Sequence, residues 1–205
     1  MILDRFYPIF EDVDWIARMA PLGIKLAQLR IKNRSAEETG SHIAKARDIC
    51  RVHGVVLVVN DYWREAIDLG CAWVHLGQED LDSADVPALR KAGIKLGIST
   101  HDHAELARAM ALKPDYVALG PVYPTILKKM KWQEQGVEQL REWRKLVGAT
   151  PLVGIGGMTI ARAPDVFAGG ADIVSVVTDI TLNSDPEFKV RQWLAATRSF
   201  ERNHR

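Results

Sequence analysis

A closed barrel of eight parallel strands wrapped by helices, the TIM or (β/α)8 fold of the α/β class, is what this sequence predicts. Three observations carry the prediction. Eight short runs rich in Val, Ile and Leu alternate with longer amphipathic stretches, the signature of parallel strands joined by helical crossovers. The runs recur at a regular spacing of roughly 20–25 residues, so 205 residues accommodate eight units in one compact domain, 1–205. No Gly-x-Gly-x-x-Gly follows the first run, which removes the main dinucleotide-binding signal of the rival architecture, an open doubly wound sheet.

The elements follow in order. The apolar runs are residues 6–10, 24–31, 55–59, 72–76, 94–98, 116–119, 152–155 and 173–177. Helical periodicity marks 37–53, 104–112, 136–146 and 164–167 between them, and 186–198 after the last run. Asp102 with Glu105 reads as a capping box opening the helix after the fifth run. Asp185 followed by Pro186 reads as an N-cap with proline at the first helical position. Glu201 to Arg205 reads as a frayed tail.

Composition narrows the function classes. Hydrophobic residues at 47% and charged residues at 26% are ordinary globular usage and exclude a disordered chain. A formal net charge of +1 offers no global field for nucleic acid or an anionic membrane. The two cysteines, Cys50 and Cys71, lie in no metal-ligand spacing and are expected reduced and buried, in a cytosolic (cytoplasmic) protein. Asp4 and Arg5 interrupt the first residues, so no signal peptide is expected, nor is any segment a membrane-spanning candidate.

Chemistry in such a barrel sits at the C-terminal ends of the strands. Side chains alternate along a strand, so Gln28, Arg30 and Lys32 share one face and Leu29 and Ile31 the other. The polar face points into the barrel mouth, where two cations either pair with neighbouring carboxylates or bind a phosphate-rich ligand. The third run leads into Asn60 and Asp61, and the fourth into Gln78, Glu79 and Asp80. Alone, Asp61 reads as a helix N-cap and Asp80 as a turn residue. Together, on adjacent strand ends, they suit Mg²⁺, which takes one or two carboxylates plus phosphate oxygens. Ser99 ends the fifth run and either meets a ligand or starts a helix. The connection 120–135 holds Thr125, Lys128, Lys129, Lys131 and Trp132 and has the length of a binding loop or lid. Gly156 and Gly157 after the seventh run, with Val177 and Thr178 after the eighth, suit the phosphate site that barrels build there. Two separable anion sites result, one metal-assisted and one metal-free, and they suggest transfer between two phosphorylated substrates.

The whole chain resembles the thiamine-phosphate synthase family, also called thiamine-phosphate pyrophosphorylase. The matching stretches run in family order: Gln28-Leu29-Arg30-Ile31-Lys32, Val59-Asn60-Asp61, Val74-His75-Leu76-Gly77-Gln78-Glu79-Asp80-Leu81, Gly97-Ile98-Ser99-Thr100-His101, the segment 115–125 and Ile155-Gly156-Gly157. The resemblance implies a TIM-barrel transferase that joins 4-amino-2-methyl-5-(diphosphooxymethyl)pyrimidine to 4-methyl-5-(2-phosphooxyethyl)thiazole, giving thiamine phosphate and pyrophosphate. It implies that Gln28, Arg30, Lys32 and Asn60 hold the pyrimidine diphosphate, and that Asp61 and Asp80 bind Mg²⁺. Ser99 and Lys128 contact the same substrate, with Arg30, Lys32, Ser99 and Lys128 as the catalytic set. Thr125, Gly157, Val177 and Thr178 bind the thiazole phosphate. The partners implied are small molecules, with no nucleic acid and no membrane, in a possible homo-oligomer. The chain departs from the family pattern where Leu127 replaces a lid threonine, where Thr178 replaces a serine, and in the bulky basic stretch Lys129-Met130-Lys131-Trp132.

This chemistry requires no protein nucleophile, and no Ser/His/Asp or Cys/His arrangement stands out. His75 is expected as a barrel-interior packing residue, and His101 and His103 as surface helix residues. Two rivals remain at the level of sequence: a thiazole tautomerase on the same barrel, and a non-catalytic barrel that binds a phosphorylated thiamine precursor.

Overall fold

A computed structural model describes residues 3–125 and 134–200 of the chain. Among them, β1 (Phe6–Phe10), β2 (Leu26–Leu29), β3 (Val56–Asn60), β4 (Trp73–Leu76), β5 (Lys95–Thr100), β6 (Tyr116–Leu119), β7 (Leu152–Ile155) and β8 (Ile173–Val176) pair in sequence order and close into a barrel. Every pairing is parallel, and β8 returns to β1 with Phe6 opposite Val174. The predicted TIM barrel is therefore the observed fold.

The helices are α1 (Val13–Met19), α2 (Ala36–His53), α3 (Trp63–Asp68), α4 (Val86–Lys91), α5 (His103–Ala111), α6 (Gly136–Val147), α7 (Ala163–Ala168), α8 (Thr178–Thr181) and α9 (Pro186–Arg198). Of these, α1, α3, α4 and α8 are short and lie outside the periodic stretches of the sequence. The second run proves shorter than its apolar stretch: pairing ends at Leu29, so Arg30 and Lys32 stand beyond the strand, at the mouth. The fifth run continues through Ser99 and Thr100 as strand.

Alternation along the strands divides the core in two. Tyr7, Leu26, Val58, Trp73, Tyr116, Ala118, Val153 and Ile173 fill the barrel interior. Phe6, Leu29, Val59, Val74, Leu96, Ile98, Val117 and Leu119 face outward and pack under the helices. On α2 the buried residues Thr39, Ile43, Ala46 and Cys50 recur at helical spacing and supply its inner stripe. Trp143 of α6 is fully buried, and its indole N–H donates to Thr100 Oγ1 at 2.9 Å, so β5 and α6 are locked where β5 delivers Ser99.

The capping predictions divide. Asp185 caps α9 as expected, accepting from the Phe188 N–H at 2.9 Å. Asp102 caps α5 by accepting from the Glu105 N–H at 2.9 Å, but the reciprocal half is missing. The Glu105 carboxylate instead accepts from the backbone and ring of His101, at 2.8 and 2.7 Å. Two hydrogen bonds from the residue just upstream of the cap thus take the carboxylate that a capping box would send to the Asp102 N–H. A complete capping box opens α2, where Ser35 and Glu38 bond each other's backbone N–H. Cys50 and Cys71 are free thiols and buried, as expected. No helix among the described residues is long and apolar enough to cross a membrane.

Candidate active site

The open C-terminal end of the barrel gathers the polar residues that the sequence singled out. Asn60 ends β3 at 5% exposure, and its amide makes no hydrogen bond among the described residues. Asp61 follows in the left-handed region, at φ 66°, a conformation that Asp tolerates and that turns its carboxylate away from a capping role. The cap position of α3 falls to Tyr62, with no side-chain bond to the helix. The N-cap reading of Asp61 is therefore set aside.

Asp80 opens the 3₁₀ turn after β4, and its Oδ2 accepts from the Gly77 N–H at 3.1 Å. A side chain at residue 77 would stand 2.9 Å from that oxygen, so glycine is what lets the carboxylate fold back onto the strand end. The turn reading of Asp80 thus holds for its backbone. Its electrostatics go further. Burial pushes the Asp80 carboxyl above its ordinary pKa, and the charge of Asp61 with a hydrogen bond between the two carboxylates pushes it the same way; the Gly77 N–H and Lys32 pull it down. Two acids crowd one another there, beside a cleft of about 250 Å³ that Arg64 and Ser83 also line.

The cations of the second run behave differently from each other. Lys32 Nζ donates to Asp61 Oδ2 at 3.0 Å, so the carboxylate-pairing reading holds for Lys32. Arg30 is exposed, and among the described residues its guanidinium has neither ion pair nor hydrogen bond. Gln28 lies deeper: at 2% exposure it donates from Nε2 to the Tyr7 hydroxyl at 2.8 Å, below the mouth.

That bond begins a polar chain across the barrel interior. Tyr7 and Tyr116 hydroxyls lie 2.9 Å apart, Tyr116 meets His75 Nδ1 at 2.8 Å, and His75 Nε2 meets Ser99 Oγ at 2.8 Å. Burial pushes His75 down to about 4, against Asp61 and with Arg30, so its ring is neutral near pH 7. Burial likewise pushes both tyrosines up, so both keep their protons. His75 is a barrel-interior residue, as expected, but with both ring nitrogens engaged. Gln78 donates to the Ser99 carbonyl at 2.7 Å, and its own Oε1 is buried with no partner among the described residues. Sequence reasoning did not place Tyr7 or Tyr116 in the site. The available signal was their inward register, since a phenol inside a barrel needs a hydrogen-bond partner.

On the opposite rim, Gly156 and Gly157 adopt φ 101° and φ 59°. A Cβ at Gly157 would come within 2.4 Å of the Pro124 carbonyl oxygen, and one at Gly156 within 2.6 Å of Pro121. Both glycines therefore serve the close approach of the loop after β6. Thr178 opens α8, with Val177 at its cap. Thr125 is partly buried; Lys128, Leu127 and the stretch 129–132 lie outside the described residues. His101 and His103 prove to be carboxylate-paired, with Glu105 and Glu142.

A parallel eight-stranded barrel that carries at its C-terminal mouth paired acids and, among the described residues, an arginine and an Asn60 amide without partners has the layout of a TIM-barrel enzyme for an anionic substrate. Residues 4–180 match the family model described as thiamine monophosphate synthase. The chain is 58% identical over 197 residues to a thiamine-phosphate synthase of Rhizobium etli, covering 96% of this chain and 97% of that one. It is 41% identical over 191 residues to one of Neisseria meningitidis serogroup B, covering 93% of each. A solved thiamine phosphate pyrophosphorylase from Pyrococcus furiosus superposes with a TM-score of 0.82 at 23% identity, covering 95% of each chain, which establishes the shared fold. The chain belongs to the thiamine monophosphate synthase family.

Proposed function

We propose that this chain, acting as one barrel domain over 1–205 in the cytoplasm, is a transferase that makes thiamine phosphate. It joins the diphosphorylated aminopyrimidine to the phosphorylated thiazole and releases pyrophosphate. The observation that carries this reading is the crowded pair Asp61 and Asp80, with Lys32 bonded to Asp61, within a family whose curated relatives bear the synthase name.

The donor set fits Mg²⁺. Two hard carboxylates from adjacent strand ends converge, and their mutual repulsion is what a divalent cation would relieve. Among the described residues no cluster of three or more His, Cys, Asp or Glu exists, so substrate phosphate oxygens would complete the shell. Bound there, Mg²⁺ would neutralise charge on the departing diphosphate. The protein's own groups do the rest. Arg30 meets the diphosphate with a guanidinium that has no competing partner. Lys32, which pairs with Asp61 in the metal-free site, would be free to meet a phosphate oxygen were that carboxylate to hold Mg²⁺. Asn60 and Ser99 offer hydrogen bonds at the mouth, and Lys128 contributes from the loop after β6. Gln28 supports the site from below through Tyr7. The thiazole phosphate is held at Thr125, Gly157, Val177 and Thr178. No base of ordinary strength is needed, in keeping with a neutral His75.

The test is pyrophosphate release by the purified chain with both precursors, with Mg²⁺ and again with excess chelator. Release that requires both precursors and collapses with chelator supports the synthase. Binding of the precursors without release turns the reading toward a binding barrel, and conversion of a thiazole isomer alone turns it toward a tautomerase.

A further inference from the structure

We propose that the buried chain Gln28–Tyr7–Tyr116–His75 is a one-way hydrogen-bond relay that holds the Ser99 hydroxyl as a donor to the pyrimidine substrate, making His75 a positioning residue. This rests on the reading that Ser99 contacts that substrate.

The direction follows from donor and acceptor inventory. Gln28 presents its amide nitrogen to Tyr7, and an amide nitrogen only donates. The Tyr7 oxygen accepts that bond, so its own O–H turns to its other neighbour, the Tyr116 oxygen. Tyr116 in turn sends its O–H to His75 Nδ1. A nitrogen that accepts carries no proton, so the proton of a neutral imidazole resides on Nε2. Nε2–H donates to Ser99 Oγ. The Ser99 lone pair facing the interior is thereby occupied, and its O–H points elsewhere, toward the open mouth. Each link is 2.8 or 2.9 Å long, and the three from Gln28 to His75 are buried, where hydrogen bonds are strong and a lost partner is costly. Without the relay, Ser99 could equally donate inward to a bare Nε2 and present only a lone pair to an anionic substrate.

Other features fit this reading. Ser99 is held from its backbone side by Gln78, so the hydroxyl is the one rotor left for the relay to set. The ring of His75 stacks on Tyr116 at 5.6 Å, which keeps Nδ1 in place.

Two measurements on the intact chain test it. In the first, ¹⁵N-histidine NMR reads which nitrogen of His75 carries the proton. Nε2–H is expected, and an Nδ1–H tautomer overturns the relay whether or not the chain is active. In the second, kcat and KM for the pyrimidine diphosphate are measured with Mg²⁺. Losing one hydrogen bond of this kind in His75→Phe or Tyr116→Phe is expected to lower kcat/KM about ten-fold. The same changes in a Ser99→Ala background are expected to add less than about two-fold, because their route is already cut. His75→Gln, whose amide reaches the Nε2 position, is expected to recover most of the activity. His75→Asn, which reaches only the Nδ1 position, is not. Fully additive losses, or His75→Asn matching His75→Gln, overturn the positioning role. If the unaltered chain releases no pyrophosphate, the proposed function fails and the claim on Ser99 fails with it, while the NMR result still decides the direction of the relay.

Discussion

Asp80→Asn is expected to lower Mg²⁺-dependent pyrophosphate release by at least about a hundred-fold while raising the thermal midpoint of the metal-free protein. The catalytic loss follows from the several kcal/mol that a metal supplies to developing charge, since about 2.7 kcal/mol is already a hundred-fold in rate. The gain in stability follows from the state of the carboxyl. Asp80 is held above its ordinary pKa by burial and by Asp61, so the folded chain keeps that proton more tightly than the unfolded chain does. Ionised Asp80 therefore subtracts from stability above its folded pKa. That cost fades as pH falls through the interval between the folded and the unfolded values. Asparagine keeps an acceptor for the Gly77 N–H and carries no charge. The midpoint difference between variant and parent should thus be positive near neutral pH in chelator and shrink to nothing in acid. Adding Mg²⁺ should raise the parent's midpoint and leave the variant's unchanged. Scanning calorimetry across pH, with and without metal, checks each limb. A variant less stable than the parent at neutral pH would show that Asp80 is a structural turn residue and not half of a strained acidic pair.

That pair was legible in the sequence for a reason that the interior relay was not. Asp61 and Asp80 close consecutive apolar runs, and consecutive strands of a parallel barrel are neighbours, so adjacency in order became adjacency in space. The strands were legible on the same ground: each is a short, mostly apolar run set off from its neighbours by longer amphipathic stretches. Helices α3, α4 and α8, of four to six residues, complete too few turns for a 3.6-residue period to show, so their sequences do not stand out from loops as the equally short α7 did. The bond joining Tyr7 to Tyr116 spans 109 residues and crosses the barrel lumen, a contact that only the closed register sets. Lys32 shows a subtler limit. Its inward face was readable, but whether a cation meets a phosphate or the acid next door depends on charges brought by other strands, and here it meets Asp61.

Gly97→Ala is expected to destabilise the fold by about 3 kcal/mol and to cost activity as well, although residue 97 touches no substrate in the proposed function. Gly97 lies on β5, opposite His75 on β4 and Tyr116 on β6. The Tyr116 ring crosses the space that a side chain at 97 would fill: a Cβ there would lie 2.0 Å from Cζ and 2.4 Å from the hydroxyl oxygen. The ring has no free room to retreat, since it is fully buried, edge-on to Tyr7, tilted against Trp73 and stacked on His75. Adding a methyl group to such a core forces the backbone apart or drives Tyr116 off its rotamer, at the upper end of the usual 1–3 kcal/mol for overpacking. Either response breaks the hydroxyl contact with His75. The same substitution at Gly40 supplies the contrast. Gly40 lies within α2 on an ordinary helical backbone, and a methyl group there would meet nothing within 4 Å, so alanine should stabilise by about 0.5–1 kcal/mol. Urea unfolding of the two variants should therefore move the midpoint in opposite directions. If Gly97→Ala proves harmless, the Tyr116 ring is not confined as described, and the geometric case for a fixed hydrogen-bond path from Gln28 to Ser99 is lost with it.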